Sequence, residues 1–119
     1  MIRRGDLEKV IIVAEEHGIR LSDSNRDRDA IHLLFSDEKV KAAQIEPNPP
    51  LTPEQVEARG QTVWIIPIRN LVRMKLTTNR LVDQVHIKDM DEVGLITPEI
   101  ERTLSPELLK RLQDTRQRE

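Results

Sequence analysis

The run Leu71-Val-Arg-Met-Lys75-Leu-Thr-Thr-Asn-Arg80-Leu-Val-Asp83-Gln-Val-His86-Ile-Lys-Asp89-Met90 decides how the chain folds. Charged and imidazole side chains are threaded through an otherwise apolar helical pattern. At about 100° per residue, Ile68, Leu71 and Val72 share one helix face, with Lys75 in its middle. A second helix, about Leu81 to Val93, gathers Val82, Val85 and Val93 on one face, with His86 and Asp89 within it. Short connections favour antiparallel packing, which predicts Lys75 opposite Asp89 or His86, with Arg80 and Asp83 at the edge of the seam. Two readings follow. Either the charges are a buried ion pair that sets helix register, or Lys75 and Arg80 face a phosphate with Asp83 and Asp89 orienting them.

Outward from this stretch, the helical pattern continues to the end of the chain. Gly94 closes the second helix, and Thr97-Pro98 and Ser105-Pro106 each offer an N-cap followed by proline in the first turn. The tail docks through Leu108, Leu109 and Leu112. Upstream, Asp6 opens a helix to about His17 with Leu7, Val10, Ile11 and Ala14 on one face, and Gly18 stops it. Ile19 to Leu21 reads as a short strand and residues 23–29 as a polar turn. Ala30 to Phe35 and Thr62 to Pro67 read as strands, and the proline-bearing residues 46–60 as a loop. Residues 1–119 make a single domain, with a helix-and-sheet part at 1–67 and a helical part at 68–119. The fold class is α/β (α+β), a small mixed sheet of about three strands packed by helices.

Composition narrows the function. The chain has 119 residues, 37% hydrophobic and 34% charged, which predicts a soluble globular domain. Trp64 and Phe35 are its only aromatics, so base-stacking nucleic-acid modules are disfavoured. Nineteen basic against twenty-one acidic residues give a formal charge of −2, with no global pull toward nucleic acid or anionic lipid. With no cysteine there is neither a disulfide nor a thiolate ligand. No leader-like or membrane-spanning apolar run is present, and a cytoplasmic location is expected. His17, His32 and His86 match no zinc-binding spacing, and no serine sits in a nucleophile motif.

Leu71-Val72-Arg73-Met74-Lys75-Leu76, then Arg80, Asp83, His86, Asp89 and Asp91-Glu-Val-Gly-Leu-Ile96, resemble the C-terminal half of nucleotidyltransferase-like proteins of the minimal, abortive-infection type. Ala30-Ile-His-Leu-Leu-Phe-Ser-Asp-Glu-Lys-Val40 and Thr62 to Leu76 also look like bacterial members of that group, and the similarity extends from about Ile2 to Leu112. The resemblance implies a partial DNA polymerase β-like α/β fold with a helical C-terminal half. It also implies, in active members, transfer of a nucleoside monophosphate from a triphosphate by two magnesium ions, which need several converging carboxylates.

The sequence departs from that pattern at the metal site. The Gly-Ser turn and the acidic pair would lie before Ile2, and the strand expected to carry the third carboxylate holds His32 instead, with Asp29 and Asp37 flanking it. Asp83-x-x-His86 has histidine where many relatives have aspartate, and magnesium prefers oxygen ligands. The expectation is therefore a truncated or degenerate domain without catalysis of its own, acting as a binding or interaction module, with no cofactor of its own and a homodimer or protein partner. Its candidate polar cluster is Lys75, Arg80, Asp83, His86 and Asp89, with His32 as a secondary candidate and no metal ligands. The alternatives are a nucleotidyltransferase using Mg2+ and nucleoside triphosphate, its acidic strand supplied by a partner chain or a missed upstream start, or a toxin–antitoxin or phage-defence component.

Overall fold

A computed structural model describes residues 1–22, 28–39 and 44–118. The predicted polar turn at residues 23–29 lies mostly outside the described residues. Among these residues are five α-helices and two small sheets of two strands each, a mixed α/β content. Helix α1 spans Leu7–Glu16, followed by strands β1 (Leu21–Ser22) and β2 (Ile31–His32), β3 (Glu54–Ala58) and β4 (Gln61–Ile65). The helical half then runs through α2 (Ile68–Thr78), α3 (Leu81–Glu92), α4 (Pro98–Arg102) and α5 (Pro106–Gln117).

Local capping chemistry accounts for most helix boundaries. Gly18 and Gly94 take positive φ just past α1 and α3. The next amides bond back across the last turn, Ile19 N–H to the Ala14 carbonyl at 2.8 Å and Leu95 N–H to the Met90 carbonyl at 2.9 Å. The Thr97 and Ser105 hydroxyls accept from the Ile100 and Leu108 amides, as the sequence predicts. Asp6 stands at the start of α1, but its side chain caps no amide.

The expected single sheet is instead two separate ones. β1 and β2 run parallel, Leu21 opposite Ile31, and Ile2 adds a parallel bridge to Phe35. β3 and β4 form an antiparallel hairpin, with Ala58 opposite Gln61 and Glu54 opposite Ile65. This corrects the reading of residues 46–60 as loop throughout. Arg59 and Gly60 both adopt left-handed backbone, φ 51° and 76°. That is the conformation a two-residue hairpin turn needs, because it matches the twist of the flanking strands.

The core lies in the helical half. Val72, Leu76, Ile87, Ile96, Leu108 and Leu112 form one buried cluster, with Ile68, Met90, Ile100, Leu104 and Leu109 packed around it. Leu108 and Leu112 are the docking residues expected of the tail. Covering is thinner over α1, where Ala14 alone is buried and Ile11, Ile12 and Val13 are exposed. No helix among the described residues is long and apolar enough to cross a membrane.

Candidate functional site

The turn joining α2 to α3 positions the polar cluster. Asn79 ends α2 in left-handed backbone, φ 49°, and its amide bonds to the Lys75 carbonyl at 2.9 Å. Asparagine tolerates this conformation better than most residues. Only Arg80 then separates it from α3, so the first turn of α3 falls over the last turn of α2. Asp83, on that first turn, has no exposed side-chain surface.

Five hydrogen bonds converge on the Asp83 carboxylate. Lys75 Nζ donates to Oδ1 at 3.2 Å and Arg80 Nη2 at 3.1 Å. To Oδ2 donate the Thr78 hydroxyl at 2.7 Å, Arg80 Nε at 2.8 Å and the Arg80 amide at 3.1 Å. The last bond is the acidic half of a capping box, in which a third-position carboxylate satisfies the N-cap amide. Burial pushes the Asp83 carboxyl up. The bonds from Arg80, Thr78 and Lys75 outweigh it and hold the group well below the usual carboxylate range. The Arg80 guanidinium is correspondingly raised by its hydrogen bond to Asp83.

Of the five residues in the predicted cluster, three meet and two do not. Lys75 faces Asp83 rather than Asp89 or His86, and Arg80 and Asp83 form the centre of the arrangement instead of its edge. His86 and Asp89 are exposed, and so are Val82, Val85 and Val93, the apolar face expected to pack inward. Asp83 and Ile87, one helical turn apart, are the buried positions of α3. The physical reason is the tight turn. Placing Asp83 over the end of α2 rotates the valines outward.

Three other features escape the sequence pattern. Thr78 completes the Asp83 shell from the turn before it. Arg111 on α5 donates to the Leu76 and Thr77 carbonyls at 2.8 and 2.7 Å, satisfying orphan acceptors at the end of α2. Arg116 bonds Asp91 through two nitrogens, 2.9 and 2.8 Å, and Glu101 through the third at 2.6 Å, tying α5 to α3 and α4. Its guanidinium is raised by those two carboxylates.

His32 lies elsewhere, half-buried on β2, with Nε2 shielded and without a hydrogen-bond partner among the described residues. It lines a cleft of about 400 Å³ between α1 and the β1–β2 sheet, with Ile2, Val10, Val13 and Leu33 among its walls. Asp29 and Asp37, the acids flanking the β2 segment, are both exposed. Among the described residues no three His, Asp or Glu side chains converge as metal ligands.

Lys75→Met tests whether the lysine supports the fold. Asp83 keeps four of its five hydrogen bonds in that variant. Methionine retains most of the stem volume, so the unfolding free energy should change by less than about 1 kcal/mol. A denaturant titration of both proteins reads this directly.

The polar arrangement thus links the end of α2 to the first turn of α3, with one outward edge at Arg80. No protein-family model, curated protein or solved structure matches this chain.

Proposed function

We propose that this chain is a nucleotidyltransferase-like domain acting as a binding or interaction module without turnover of its own. The observation that carries the reading is the outward placement of large apolar side chains on several elements. Val56, Val63, Trp64 and Ile65 are exposed on the hairpin, Ile12 and Val13 on α1, and Val82, Val85 and Leu81 on α3, the last 76% exposed. Single exposed apolar residues are ordinary, but clusters of them on one element are the surface signature of a contact site. The commitment of Lys75 to the buried Asp83 supports the same reading, since a charge so engaged is less available to a substrate phosphate.

One observation favours a second reading, a nucleotidyltransferase completed by another chain. Arg80 uses only Nε and Nη2 on Asp83 and its side chain stays 45% exposed, leaving an edge of the guanidinium toward solvent. A triphosphate would meet that edge. Thermal melts with magnesium and each nucleoside triphosphate separate the two. Ligand at about 100 times its dissociation constant raises stability by roughly 2.7 kcal/mol. The module reading expects no displacement of the midpoint. A magnesium-dependent rise that vanishes in Arg80→Gln overturns it.

A further inference from the structure

We infer that the free edge of β4 pairs antiparallel with β4 of a second copy, joining two hairpins into a four-stranded sheet. The inference rests on the interaction-module reading and names its partner.

The hairpin is unfinished as it stands. All ten residues of β3 and β4 are exposed, and the register accounts for only one edge of each strand. Next to a two-residue turn the Ala58–Gln61 pair is hydrogen-bonded, and bonding alternates along the ladder. Gln61, Val63 and Ile65 therefore direct their main-chain groups to β3, while those of Thr62 and Trp64 point away from it. No hydrogen bond among the described residues reaches that outer edge.

Composition selects β4 and a copy of itself. β4 reads Gln-Thr-Val-Trp-Ile, without a charge or a proline and rich in β-branched and aromatic residues. It carries none of the devices that normally keep an edge from pairing. β3 carries Glu54 and Glu57 and is preceded by Pro53, so its edge is protected. A two-fold axis at Val63 sets Thr62 against Trp64 of the second copy, Gln61 against Ile65, and Val63 against itself. No like charges meet. Val56, Val63 and Ile65 lie on one face of the hairpin, and that apolar face becomes continuous across the dimer. Trp64, 63% exposed in one copy, gains a cross-strand neighbour on the other face. A formal net charge of −2 opposes association only weakly.

Two sets of variants test the pairing, with light scattering for mass and circular dichroism for fold. The wild type should be a dimer. Val63→Lys and Val63→Glu, changes at a side chain already 41% exposed, should each be folded monomers. An equimolar mixture of the two should restore the dimer, because opposite charges then face each other at the axis. Since the chain lacks cysteine, Val63→Cys supplies one thiol per copy at a close, non-hydrogen-bonded pair. The Cα separation there, about 4.5 Å, lies within disulfide reach, so oxidation should link the copies. Glu57→Cys on β3 should not be linked. A monomeric wild type overturns the inference. So does a dimer that survives Val63→Lys, or cross-linking through position 57 as efficient as through 63. None of these readouts involves nucleotide, so a triphosphate-induced melting shift would remove the module reading while leaving the oligomeric result to stand separately.

Discussion

Replacing Asp83 by alanine should lower the unfolding free energy by about 3 kcal/mol. Removing one member of a buried charge cluster costs about 3–5 kcal/mol, because the remaining charges lose their partner. Here the loss falls at the lower end, since Arg80 and Lys75 both keep access to water. The lost cap on the Arg80 amide is part of that figure. A domain of this size moves by roughly 4 °C in melting midpoint per kcal/mol, so the drop should be about 12 °C. Asp83→Asn keeps the volume but turns an NH2 group toward the donors of Lys75, Thr78 and Arg80, and it too should be destabilised. A variant as stable as the wild type would show that the five bonds contribute no net stability.

The same carboxylate makes a signed prediction about acid. Asp83 titrates in the folded chain well below its ordinary value of about 3.9, so the native state holds the anion more tightly than the unfolded state does. Its contribution is fully present above the unfolded pKa. It declines as pH falls below about 4 toward the depressed folded value, where the unfolded chain has already taken up its proton. Denaturation profiles across this window should therefore slope more steeply for the wild type than for Asp83→Asn, which has no proton to gain at that site. Parallel slopes for the two proteins would contradict the assignment.

How much was legible in the sequence follows from the range of the forces involved. Gly18, Gly94, Thr97-Pro98 and Ser105-Pro106 act within one helical turn, and each ends or starts a helix where local chemistry predicts. The inward face of α3 was hidden because apolar periodicity selects Val82, Val85 and Val93. What seats this helix is the contact of Asp83 with residues on the other side of a tight turn. β3 was hidden because Glu54, Gln55 and Glu57 blur the alternation of a strand that is exposed along its whole length. Its one clear signal was Arg59-Gly60, a turn dipeptide beside the recognisable Thr62–Ile65 run. Arg111 and Arg116 act over 25 to 35 residues of chain where their long bonds are concerned, beyond any spacing rule. Helical periodicity supplied the site hypothesis, and three of its five residues are neighbours through a bond network of which only the capping-box part, the Arg80 amide on Asp83, has a local signature.

Leu76→Ala should cost about 3 kcal/mol or more, within the 2–5 kcal/mol range for a large side chain removed from a closed core. Leu76 is essentially without exposed surface, in the cluster shared with Val72, Ile87, Leu108 and Leu112. Among the described residues the buried apolar residues outside that cluster are Ala14, Pro49 and Pro67, which form no second core to absorb the loss. With total stability of small domains at about 5–15 kcal/mol, the variant should stay folded with a markedly smaller margin. Hydrogen exchange separates this global effect from local opening. Amides of α2, α3 and α5, which exchange through global unfolding, should lose protection in step with the lost free energy. The hairpin amides should exchange faster from the start, because an isolated two-stranded ribbon is marginal in water. Their rates should be insensitive to Leu76→Ala at low protein concentration, since local opening of β3–β4 does not disturb the helical core. Hairpin amides that slow as concentration rises would then report pairing of copies, an effect that Leu76→Ala leaves intact as long as the folded fraction is matched and that Val63→Lys removes.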